Sequence, residues 1–141
     1  FDLDAWWLTA LRAQADALGV DWALVLRADA AATASTDASR LQQLAQRCVP
    51  ALSDALLSAD QPLLLVNPGL FARFGLMHLF GTLETEIGRP GRTPSLWLLL
   101  PSTQPTVAGI DGTTVPLIRD ADFASIPRAW VENRHRSANA A

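Results

Sequence analysis

Lysine is absent from the 141-residue sequence, and all eleven basic residues are arginine. That omission excludes the GxxxxGK[ST] phosphate loop, whose lysine reaches the β- and γ-phosphates, and it also removes a kinase's phosphate-pairing lysine and any Schiff-base chemistry. No GxGxxG follows an apolar run, and no GxSxG elbow nominates a serine. A single cysteine, Cys48, leaves no internal disulfide to form. The only histidines, His78 and His135, stand at metal-ligand spacing neither with each other, nor with Cys48, nor with a carboxylate pair. No catalytic residue, no metal and no cofactor are therefore expected. No apolar run approaches the ~20 residues that cross a bilayer, and the first residues do not read as a basic-then-apolar leader, so a cytoplasmic location away from membranes is expected.

What is present is the balance of a folded domain. Half the residues are hydrophobic and 18% are charged, which suits a packed core and excludes a disordered tract. The length fits one α/β domain over residues 1–141, with no internal repeat. The sequence opens at Phe1 without an initiator methionine and enters an amphipathic pattern at once, the expectation being a module of a longer protein. A net charge of −3 offers no general attraction to phosphate backbones.

Along the chain, Leu3, Trp7, Leu11 and Leu18 form one helical stripe, with Asp2 or Asp4 placed to cap its start and Gly19 to end it. Trp6 lies beside the stripe. Residues 20–27 suit either a buried strand or a short helix capped by Asp21, with the balance toward helix. Residues 28–39 are rich in Ala, Thr, Ser and Asp without periodicity and read as a solvated loop. From about Asp37 to Ala59, Leu41, Leu44, Cys48, Leu52 and Leu56 recur at helical spacing. Pro50 makes this segment either a kinked helix or two helices, with the proline in the first turn of the second.

Two continuous apolar runs, 62–66 and 95–100, read as strands buried on both faces. The segment between them begins with Asn67 as a helix cap and Pro68 in the first turn. It continues through Leu76, Phe80, Leu83 and Ile87 to Gly88, with a break at Gly75. This is a βαβ unit, for which a parallel pair with a right-handed crossover is expected. Residues 107–110 and 113–118 face each other across Asp111-Gly112, a strong hairpin signal. Pro116 places that hairpin at an edge. The predicted fold is thus a small, open, three-layer α/β sheet with a parallel core, an antiparallel edge hairpin (107–118) and flanking helices. Pro127 opens a last short helix carrying Trp130 and Val131, and the tail from Ser137 is expected to fray.

In such folds ligands bind beyond the carboxyl ends of the strands. Asn67, the amides of Gly69 and Leu70, and Arg73 lie there in the sequence, with Ser102, Thr103 and Gln104 after the second strand, so an anion- or nucleotide-sensing crevice is the alternative functional reading. Capping and loop chemistry account for the same residues without a ligand. Cys48 falls on a buried stripe and reads as a small hydrophobe. His78 falls on a solvated helix face, and His135 complements the negative end of the last helix. Arg128, Arg134 and Arg136 form a basic cluster through which nucleic acid would be contacted, although helix-dipole complementation explains them more simply. Five tryptophans are many for this length, and one or two at the surface would suit contact with another domain or protein.

The strings DWALVLRADA (21–30), PLLLVNPGLFARFGLMHLFGTLETEIGR (62–89), SLWLLLP (95–101), IDGTTVPLI (110–118) and IPRAWVENRHR (126–136) together resemble the C-terminal region of the large serine/threonine kinases of phage-growth-limitation (type 2 BREX) antiphage systems. The resemblance covers most of the chain, through apolar strands and turns and not through catalytic motifs. It implies that kinase activity belongs to an upstream domain, since nothing here matches the VAIK, HRD or DFG elements. The implied role is a non-enzymatic interaction or scaffolding domain, whose partners are other domains of the same protein or other antiphage-system proteins.

Overall fold

The first helix is set by the second residue of the chain and stopped by the nineteenth. In the computed structural model, which describes residues 1–101, 106–117 and 122–134, Asp2 accepts a hydrogen bond from the Ala5 amide at 3.0 Å and opens α1 (Leu3–Ala17). Gly19, at φ +66°, takes the left-handed conformation that an L side chain resists, and the Val20 amide turns back to the Ala15 carbonyl at 2.9 Å. The buried stripe is Leu3, Trp7, Leu11 and Ala15. Leu18, expected on that stripe, is 46% exposed because it is the C-cap, where the helical repeat no longer applies.

The stretch 20–27 resolves as helix and not strand from Trp22 onward: α2 (Trp22–Ala30) is capped by Asp21, whose carboxylate accepts from the Ala23 amide at 2.9 Å. The loop expected over 28–39 shrinks to 31–35. Alanine's high helix propensity carries α2 to Ala30, and Ser35 caps α3 (Thr36–Gln46) through the Ala38 amide. With Val25 the one buried residue of α2, burial leaves almost no periodic signature there. At Pro50 the segment divides into two helices: α4 (Val49–Leu57) carries the proline in its first turn, where a missing amide hydrogen costs nothing.

The α/β class and its parallel pair are present. β1 (Leu63–Leu65) and β2 (Leu96–Leu98) run parallel with Leu63 opposite Leu96, Leu64 opposite Trp97 and Leu65 opposite Leu98. The chain's first residues lie along the other edge of β1. The Phe1 amino group donates to the Leu64 carbonyl at 2.8 Å, the Val66 amide to Phe1 at 3.0 Å and the Leu3 amide to Val66 at 3.0 Å. Between the strands come α5 (Gly69–Arg73) and α6 (His78–Glu86), separated at Gly75, φ +67°.

Two expectations about the sheet change. The strands are buried on one face only: Leu65 is fully buried and Leu63, Leu96 and Leu98 pack against the core, but Leu64, Trp97 and Leu99 are exposed. The hairpin forms across Asp111 (φ +49°) and Gly112 (φ +78°), as β3 (Gly109–Ile110) and β4 (Thr113–Thr114). It makes a separate two-stranded sheet, without bonding to the edge of the parallel pair. Ala108, Ile110 and Val115 tuck it onto the core, and Pro116, beyond β4, lies against α6 at Gly81. Ile118, the last residue of the expected strand, lies outside the described residues.

The core is one cluster in which α1 packs on α2, α3 and α5, and α4 packs on α6. Its centre is aromatic: the Trp7 ring lies 5.5 Å from Phe71, which stacks on Phe80 at 5.4 Å. Thr93, fully buried, ties the connector before β2 to the end of α4. Its hydroxyl donates to the Leu56 carbonyl and its amide to Leu57 at 3.0 Å. After Pro127, α7 (Arg128–Val131) buries no residue, and the proline sits at the N-cap, one position before the expected first turn.

Candidate functional site

The crevice beyond β1 is built by the turn that follows Val66. Asn67 was expected to cap a helix, but it takes φ +54°, a left-handed conformation that asparagine tolerates better than most residues. Its side-chain amide donates to the Asp2 carboxylate at 2.9 Å. Pro68 occupies the N-cap of α5, without a side-chain cap. The cap comes instead from α1, where Asp4 Oδ1 accepts from the Leu70 amide at 2.9 Å. A Cβ on Gly69 would stand 3.3 Å from the other Asp4 oxygen, so that glycine allows the close approach.

Gly69 and Arg73 are brought together, with Asp4, Leu70, Ala72, Asp111 and Thr113, around an open depression of about 470 Å³. Asn67 does not line it, and Ser102, Thr103 and Gln104 lie outside the described residues. Arg73 is committed to Asp29, with Nε 2.8 Å from the carboxylate and Nη2 2.9 Å from the main-chain carbonyl. The depression thus carries two carboxylates, and one of them takes the amide that an anion would use. This arrangement repels an anion more than it attracts one.

The remaining chemistry-bearing residues are dispersed. Cys48 is buried with its thiol 3.8 Å from the Leu44 carbonyl, and burial pushes its pKa above the usual 9.0, which keeps it protonated and a poor nucleophile. His78 is exposed at the start of α6, with Nδ1 3.1 Å from the Gly75 carbonyl. Arg128 and Arg134 both pair with Glu132, while Arg136 and His135 lie outside the described residues. Among the described residues no group of three or more His, Cys, Asp or Glu is placed to hold a metal ion, and no helix is long and apolar enough to cross a membrane.

What the residue inventory did not reveal is a surface. Leu64 and Trp97, register partners on the outer side of the parallel pair, are 54% and 64% exposed, and Leu99 on the same side is 49% exposed. Trp7 is fully buried, and Trp6 and Trp22 are half-buried, the latter under the Arg12 guanidinium at 5.4 Å. The surface tryptophans expected from composition are Trp97 and Trp130. The signal for the first was the register itself, which requires pairing the two apolar runs before a face can be assigned.

The sequence is similar to a Streptomyces coelicolor protein described as "Probable kinase PglW", at 32% identity over 127 residues. The match takes in 83% of this chain but 8% of that protein, so the chain spans less than a tenth of its relative's length. No family model and no solved structure matches it.

Proposed function

Because the chain is similar over most of its length to one region of a large PglW protein, we propose that it is a non-enzymatic interaction module of a phage-growth-limitation (type 2 BREX) defence protein. In this reading the kinase chemistry belongs to other parts of the polypeptide, and this domain holds those parts, or other proteins of the system, in place. The observation that carries it is the bare outer face of the parallel pair, where Leu64, Trp97 and Leu99 leave a contiguous apolar strip in water. Parallel sheets are otherwise covered on both faces, and large exposed aromatic anchors are typical of contact sites.

The test is deletion of residues 1–134 from the full-length parent in a host carrying the complete defence system. Expected is loss of co-purification with the other system proteins and of protection against phage, with kinase activity of the remainder retained. Unchanged assembly and protection after the deletion would end the proposal.

A further inference from the structure

The outer sheet face also limits what covers it, on the reading just given that this domain is an interaction module. Side chains alternate along the pair: Leu63, Leu65, Leu96 and Leu98 turn to the core, while Leu64, Trp97 and Leu99 turn away from it. A parallel pair of this kind is normally closed by helices on both sides. The described chain closes one. We infer that the second side is covered by an amphipathic helix belonging to the same polypeptide outside this segment, and not by a second copy of the domain.

Area separates the two occupants. Two leucines and one tryptophan about half exposed offer on the order of a few hundred Å², against about 800 Å² per partner in a stable complex of free proteins. A face that small does not hold an untethered copy. It does suffice for a tethered segment, because linkage raises the effective concentration to about the millimolar range, and interdomain contacts begin at about 600 Å² counted over both sides. In the PglW relative all but 8% of the chain lies outside the matched region, so tethered candidates are abundant there. The chemistry required of the occupant is an apolar stripe repeating at three and four residues, with small side chains where it crosses Trp97.

Hydroxyl-radical footprinting, read by peptide mass spectrometry, tests this on the 141-residue chain and on the full-length parent at concentrations where light scattering reports monomers. Leu26 of α2, 55% exposed, serves as the reference. Oxidation of Trp97 relative to Leu26 is expected to fall several-fold in the full-length monomer. Equal reactivity in the two proteins overturns the inference. So does protection that appears only when the 141-residue chain is concentrated and its mass doubles. If Trp97 stays reactive in the full-length monomer and becomes protected only when other defence-system proteins are added, the inference falls while the interaction reading stands.

Discussion

The carboxylate of Asp4, in the first turn of α1, accepts the Leu70 amide of α5 at 2.9 Å from sixty-six residues away along the chain. One side chain therefore answers the positive end of two helices, because Pro68 supplies α5 with no cap of its own. Asp4→Ala is expected to destabilise the fold by about 1 kcal/mol, and Asp4→Asn, which keeps an acceptor, by less. Urea denaturation measures both. A midpoint unchanged by the alanine would show that the bond contributes nothing.

Beside it, Asp2 has a pKa held below its ordinary value of 3.8, first by the hydrogen bond from the Ala5 amide and next by the one from the Asn67 side chain. A carboxylate with a depressed folded pKa contributes stability that is fully present above its unfolded pKa and is lost as pH falls through the folded value. The domain should therefore lose stability from this group only in acid, below about pH 4, and not near neutrality. Asn67→Ala should move the Asp2 titration, followed by carboxyl-carbon NMR, back toward its ordinary value. An unmoved titration would mean that the Asn67 contact does not stabilise the charged form.

These two carboxylates show where sequence reading stops. Asp2 and Asp4 were both visible as caps for α1, because capping is a local pattern of three or four residues. Asp2 does cap α1, but its second partner, Asn67, and the α5 amide of Leu70 that Asp4 binds instead become apparent only after β1 is laid beside the N-terminus. For the same reason Asn67-Pro68 reads as a helix start when taken alone, although its side chain is spent on Asp2. An interruption at Pro50, though not whether it kinks or divides the helix, the break at Gly75 and the turn at Asp111-Gly112 were legible because each depends on the backbone preference of one or two residues. The outer face was not, since LLLV and LWLLL look alike whether one side of the sheet is covered or both. Of the proposed crevice residues, Gly69 and Arg73 do meet, but Asp29 and Asp4, which decide their electrostatics, come from α2 and α1.

Thr93 belongs to no periodic pattern in the sequence, yet it is the one buried polar residue among those described. Its hydroxyl satisfies the Leu56 carbonyl, which lies in the last turn of α4, where helical carbonyls have no partner within the helix. Thr93→Val preserves shape but leaves that carbonyl unpaired, with an expected loss of about 1–3 kcal/mol. Thr93→Ser keeps the bond and should cost about 0.8 kcal/mol for the missing methyl group. The order of the two losses in chemical denaturation is the check, and a serine variant less stable than the valine variant would assign Thr93 to packing alone.

Trp7 and Trp97 separate folding from docking. Trp7 is fully buried among Phe71, Phe74 and Trp6, and its indole nitrogen finds no hydrogen-bond partner among the described residues, so its contribution is packing. Trp7→Ala should cost about 3–5 kcal/mol. Trp97 faces water across from Leu64, and Trp97→Ala removes only a cross-strand contact worth roughly 0.2–1 kcal/mol. Thermal melts of the two variants should therefore differ widely. A Trp97 variant that melts like the native chain yet loses its binding partner would place that side chain's role outside folding, whereas one that unfolds as readily as the Trp7 variant would show that the outer face is part of the core after all.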